Sequence, residues 1–130
     1  IRDSLRIRYG LQESLRVGNI DIKRDFGFAK KYVEAMWLML QKPQPGDYLI
    51  CSGQSVSLRS IIEHIFNRLK ISMENVVIDS KLYRPTEIED IYGNNAKAKR
   101  ALQWKYDMNF FDVLDILLEE EERNKRFMHE

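Results

Sequence analysis

Two arginines stand in company that could bind an anion: Arg24 within Lys-Arg-Asp-Phe-Gly and Arg84 within Tyr-Arg-Pro-Thr-Glu. A guanidinium presents a planar fork of donors, matches phosphate bidentately and keeps its charge at any relevant pH. Proline after Arg84 drives that residue towards an extended backbone and lets its side chain project from a loop. Both arginines read as loop residues, and a diphosphate needs such donors on facing loops. Spacing alone leaves a second pairing open, Arg24 with Asp25 and Arg84 with Glu87.

Other chemistry is sparse. The six glycines stand at 10, 18, 27, 46, 53 and 93, so neither the G-x-G-x-x-G dinucleotide loop nor a P-loop is present. His64, His129 and Cys51 are too far apart in sequence to suggest a metal site, and Cys51, at the end of an expected strand, reads as core. The carboxylate pairs Asp112/Asp115 and Glu87/Glu89 could serve acid-base work. For the first pair, the exposed opening turn of a helix is the simpler reading, because negative charge there complements the helix dipole.

Composition sets the bounds. The 130 residues are 44% hydrophobic, 11% aromatic and 32% charged, which describes one globular domain spanning 1–130. With 21 basic and 20 acidic side chains the net charge is +1, so no nucleic-acid or anionic-membrane partner is expected. Charge is nevertheless uneven: residues 1–31 carry eight Lys/Arg against four Asp/Glu, while 109–130 carry three against seven. A single cysteine fits a reducing, cytoplasmic compartment, and no apolar run approaches the roughly 20 residues that span a bilayer. The chain opens on Ile1 inside a helical pattern, from which a piece of something longer is expected.

The elements that must position these groups follow from periodicity. Residues 1–9 predict a helix ended by Gly10 and 15–19 a short strand, after which Gly18-Asn19 and Asp21 mark a turn into the polar stretch 21–25. Phe28, Tyr32, Val33, Met36, Trp37, Met39 and Leu40 predict a helix with a wide apolar face, placed deep in the fold. Residues 42–46, with two prolines and a glycine, break it. A strand is expected over 48–51, then an N-cap at Ser57 opening a helix whose stripe is Leu58, Ile61, Ile62, Ile65, Phe66 and Leu69. Residues 76–78 predict another strand. Asn94 or Asn95 would cap a short basic helix to Leu102, and Asn109 a final helix, with 119–122 as a solvated acidic tail. The architecture expected is α/β, mostly helical with short strands.

Residues 15–30, LRVGNIDIKRDFGFAK, lead directly into Tyr32-Val33-Glu34-Ala35-Met36-Trp37; Tyr83-Arg84-Pro85-Thr86-Glu87-Ile88-Glu89, then 93–99 and 102–105, follow in order. Together they closely resemble the GDP-mannose 4,6-dehydratase family of extended short-chain dehydrogenase/reductases. The resemblance implies the C-terminal substrate-binding portion of such an enzyme, with the Rossmann core that holds NADP absent. Consistently, no tyrosine is followed four residues later by lysine, so the family's catalytic pair is missing and no catalytic residue is assigned.

By the same resemblance Arg24 and Arg84 would hold a GDP diphosphate, Glu87 would accept from ribose hydroxyls, and the strand from Val17 to Asn19 would line the guanine pocket. Arg8 stands where the family tends to carry a lysine near the nucleotide. The implied parent is a homo-oligomeric, NADP-dependent lyase converting GDP-mannose to GDP-4-keto-6-deoxymannose, the fragment alone being inactive. Lys31 and a short 69–76 segment depart from the family pattern. A GDP-heptose 4,6-dehydratase, a GDP-4-keto-6-deoxymannose reductase and a non-catalytic sugar-nucleotide-binding module stand as alternatives.

Overall fold

The computed structural model describes residues 1–128. Ten regular elements run in the order α1 (Arg2–Arg8), β1 (Leu15–Val17), β2 (Lys23–Asp25), α2 (Ala29–Leu40), β3 (Ser55–Ser57), α3 (Leu58–Leu69), β4 (Val76–Ile78), β5 (Asp90–Ile91), α4 (Ala96–Leu102) and α5 (Phe110–Asn124). Helix dominates, as the sequence implies. The strands form two small sheets: β1 lies parallel to β4, while β2 sits between antiparallel β3 and parallel β5. No doubly wound sheet occurs among the described residues.

Helix α3 shows most directly how sequence becomes packing. Ser57 caps it by accepting from the Ser60 amide at 3.1 Å, which satisfies one of the donors a helix start leaves open. Ile61, Ile65 and Leu69 then meet Leu5 of α1, Leu114 and Leu118 of α5, and Phe127 in one buried cluster. Ile62 and Phe66, one step round the helix, close a second cluster with Ile20. Each such fully buried side chain contributes about 1.5–3 kcal/mol, so this helix is the principal organiser of the fold.

Helix α5 is capped by Asn109, whose Oδ1 accepts from the Phe111 amide at 2.9 Å. It continues through 119–122, so the acidic run is helical rather than a tail. Asp112 lies in the first turn, but Asp115 does not belong there: half-buried, it binds His64 Nε2 at 2.8 Å and Arg68 Nε at 3.2 Å and ties α5 to α3. His129 lies outside the described residues. No His/Cys/Asp/Glu group able to hold a metal is found among those described. No described helix is long and apolar enough to cross a membrane.

A third cluster joins α2 to α4, with Ala35, Ala98, Leu102, Trp104 and Tyr106 buried together. Trp104 Nε1 donates to the Lys31 carbonyl at 3.0 Å, and the Phe28 amide donates to Tyr106 Oη at 3.0 Å. These bonds fix the start of α2.

Three expectations are overturned here. The polar stretch 21–25 does not leave Arg24 on a loop: Lys23–Asp25 is the central strand of the second sheet, so Arg24 is a strand residue. Residues 48–51 pair with no strand among the described residues, although Cys51 is buried as expected. Helix α2 is not deep: among its residues only Ala35 is fully buried, and Val33, Met36, Trp37 and Leu40 are exposed. The physical reason is shared. Strand and burial depend on what lies across from a segment, and local periodicity does not report it.

Candidate functional site

The site is organised by the segment from β4 to β5, threaded across the ends of β1 and β2. At its start the Asp79 amide donates to the Val17 carbonyl at 2.8 Å, and Asp79 Oδ2 binds Arg16 Nη2 at 2.8 Å. Leu82 then comes so close to Gly18 that an added Cβ would lie 2.9 Å from its carbonyl oxygen, which explains glycine at that step. At its far end the Lys23 amide donates to the Glu89 carbonyl at 2.7 Å, and Asp90–Ile91 joins β2 in parallel. The arginine-proline loop between is therefore held at both ends, an arrangement that limits the ordering cost of binding.

Of the six residues expected at a site, the structure links Asn19 to Glu87 directly, Nδ2 donating to Oε2 at 3.0 Å. Arg24 reaches the same loop: its Nη1 donates to the Ile88 carbonyl at 2.7 Å and to its own strand at the Lys23 carbonyl at 2.6 Å. With Nη1 committed to carbonyls, Nε and Nη2 are the donors Arg24 offers to an anion. Arg84 is exposed on that loop, two residues beyond Leu82. Val17 is half-buried at the end of β1, packed beside the Ile20 cluster. Arg8 is exposed on the last turn of α1, beside Tyr9, which stacks on Phe127 and donates to Glu122 at 3.0 Å. That end of α1 faces the C-terminal helix, and no contact described here joins Arg8 to the other five.

Neither neighbouring-acid pairing that spacing left open describes these arginines' surroundings. Glu87 is engaged by Asn19. Asp25 is the hub of a separate network that sequence reasoning missed: Oδ1 accepts from Ser52 N at 2.8 Å and Ser52 Oγ at 2.7 Å, and Oδ2 from Gly53 N at 2.9 Å and Gly93 N at 3.3 Å. Burial pushes the Asp25 carboxyl up, but the four hydrogen bonds outweigh it and hold its pKa below the usual carboxylate value. The donors lie 27 to 68 residues away, so no local signal announces them. Beside Asn19 and Lys23 a cleft of about 470 Å³ opens, also lined by Asp21, Ile22, Glu89 and Asp90, a volume within the usual range for small-molecule sites. One of the lining residues, Asp21, is paired with Arg59 through two bonds, at 2.7 and 3.1 Å.

A dinucleotide cradle is a different matter. Gly10 and Gly53 carry positive φ, but neither lies between a strand and a following helix, where phosphate-binding glycine loops sit. The described residues do not fit NADP.

The sequence model of the family described as GDP-mannose 4,6 dehydratase matches residues 1–117. The chain belongs to the GDP-mannose 4,6-dehydratase family. GDP-mannose 4,6 dehydratase 1 of Arabidopsis thaliana is 38% identical over 117 residues, covering 89% of this chain and 32% of that protein. The GDP-mannose 4,6 dehydratase of Homo sapiens is 36% identical, covering 87% and 35%. The chain thus spans about a third of the length of these relatives. Among solved structures, RMD from Pseudomonas aeruginosa complexed with NADPH aligns with TM-score 0.82 at 29% identity, over 95% of this chain and 41% of that one. A dTDP-glucose 4,6-dehydratase from Bacillus anthracis in complex with NAD shares the fold, with TM-score 0.80 at 17% identity. The fold is that of the C-terminal portion of an extended short-chain dehydrogenase/reductase. In this GDP-mannose 4,6-dehydratase relative, the arginine-proline loop and the β1–β2 region are the elements the structure brings together.

Proposed function

We propose that residues 1–130 form the GDP-sugar-binding part of an NADP-dependent GDP-mannose 4,6-dehydratase, a cytoplasmic homo-oligomeric lyase. The observation that carries the reading is the convergence of Arg24, Asn19 and Glu87 on one loop that also bears Arg84. Arg24 and Arg84 supply charged donors to the diphosphate, Glu87 accepts from the ribose diol, and Val17 to Asn19 flank the base. Arg8 is retained as an outlying contact to the nucleotide. Binding energy gathered on the nucleotide orients a hexose whose reacting carbons lie elsewhere. The name shared by the relatives supports the dehydratase reading over a reductase or a heptose enzyme. Since neither the tyrosine-lysine pair nor a dinucleotide loop is present, the fragment binds without turning over.

Calorimetric titration of the 130-residue chain with GDP tests this. Saturable binding, weaker for UDP and ADP, is expected. Absence of GDP binding by a folded chain refutes the reading.

A further inference from the structure

The contact between Asn19 and Glu87 has a direction built into it. Asn19 Oδ1 accepts from the Asp21 amide at 3.0 Å, and Asn19 Nδ2 donates to Glu87 Oε2 at 3.0 Å. A backbone N–H can face only the oxygen of a side-chain amide, so the first bond fixes which way Asn19 is turned and aims its NH2 group at the carboxylate. Residue type matters here. An aspartate would close the same turn at Asp21 but would have nothing to donate to Glu87.

The two partners differ in how they are anchored. Asn19 precedes Ile20, which is 2% exposed in the cluster with Ile62 and Phe66 and whose carbonyl accepts from the Arg59 amide at 2.7 Å. Asn19 therefore rides on the core. Glu87 lies in the stretch 80–92, where it alone is half-buried and every other residue is exposed. Asn19 is the one hydrogen-bond partner of its carboxylate among the described residues, and it takes Oε2. Oε1 is left to a ligand.

We propose that Asn19 is a positioning residue for ribose recognition: it holds Glu87 by one oxygen so that the other meets the vicinal 2′- and 3′-hydroxyls of a nucleoside diphosphate, and it thereby sets the discrimination between ribonucleotide and deoxyribonucleotide. This rests on the function proposed above, which gives Glu87 the ribose and does not say what fixes its carboxylate. Holding Oε2 in advance removes part of the side-chain freedom that Glu87 would otherwise lose when the nucleotide binds. An anionic oxygen accepts strongly from a hydroxyl, and that bond forms only where the hydroxyl is present. The side chain of Asn19 thus acts on specificity through Glu87, from a position the core makes rigid.

Calorimetric titration of the chain with GDP and with 2′-deoxy-GDP reads the discrimination as a ratio of dissociation constants. The unaltered chain should favour GDP by about tenfold or more, the size of one hydrogen bond to a charged group. Asn19→Asp keeps an acceptor for the Asp21 amide, removes the donor and sets two carboxylates together, so the ratio should fall to about threefold or less. Adding Glu87→Gln lets the new amide donate to the new carboxylate while its oxygen faces the ribose, and part of the ratio should return. Asn19→Ala, free of the added charge, should lower the ratio in the same direction and serves where circular dichroism shows Asn19→Asp unfolded. A merely structural role would weaken both nucleotides equally. A preference for GDP that the Asn19 variants preserve, or no recovery in the paired variant, overturns the positioning role and leaves the proposed function standing. Equal binding of the two nucleotides by the unaltered chain counts against the ribose role of Glu87 itself and overturns both.

Discussion

Replacing Asp25 by alanine removes the acceptor for four hydrogen bonds that clamp β2 to the 52–53 turn and to Gly93. Three of the donors are backbone amides, those of Ser52 and Gly53 in one turn and of Gly93 in a separate segment. A half-buried donor left unsatisfied costs about 1–3 kcal/mol, and the 3.3 Å bond from Gly93 is the weakest of the set. Counting the two shorter amide bonds in full, and allowing water to recover part of the rest, the loss comes to about 3 kcal/mol. That is a large share of the 5–15 kcal/mol typical of a domain, and corresponds to a fall in melting temperature of roughly 10 °C. Asp25→Asn should cost about 2 kcal/mol, since one oxygen remains to serve Ser52 while the new amide faces two N–H groups.

The effect also carries a pH signature. The folded carboxyl titrates below its unfolded value of about 3.9, so its stabilisation is complete above that pH and is lost as pH falls through the folded value. The gap between the unaltered chain and Asp25→Ala should therefore close in acid. Urea unfolding at neutral pH and near pH 3 measures both. A cost below about 0.5 kcal/mol at neutral pH, the size of an ordinary surface substitution, would refute the clamp.

Further perturbations probe other parts of the account. Ile65→Ala, at the buried meeting of α1, α3 and α5, should cost about 2–5 kcal/mol in denaturant unfolding. Gly27→Ala should lower the thermal melting midpoint because its methyl would collide with the Tyr32 hydroxyl and with the ring carbons behind it, and Tyr32→Phe, which keeps those ring carbons, should not restore the loss. Burial, with a smaller contribution from the Asp25 charge, pushes the Tyr32 hydroxyl up from 10.0 to about 12. Its contribution to stability is therefore full below about pH 10 and is lost as pH rises through the folded value, which an alkaline titration by tyrosinate absorbance should register late for Tyr32.

The helical skeleton is legible in the sequence because its causes are local. The Leu58 to Leu69 stripe, the Ser57 and Asn109 caps and the proline break after Leu40 all act within a few residues. The strand at Lys23–Asp25 is not legible: it is polar, three residues long, and exists because Ser55–Ser57 and Asp90–Ile91 flank it. The apolar periodicity of α2 reads in the sequence as a deeply buried helix, yet nothing among the described residues covers its outer half. For the site, residue type and motif order indicated Arg24, Arg84 and Glu87, whereas the bond between Asn19 and Glu87 spans 68 residues and only the fold reveals it. In the sequence Asp25 reads only as an ion-pair option for Arg24, because three of its four actual donors are backbone amides, which carry no sequence signature.

The central claim is that the arginine-proline loop and β2 together hold a nucleoside diphosphate. Titrating GDP into Arg84→Glu, with circular dichroism as a check on folding, tests it most directly. The account predicts that binding disappears while helix content is unchanged, because Arg84 is exposed and supports no core contact described here. GDP binding equal to that of the unaltered chain would contradict it.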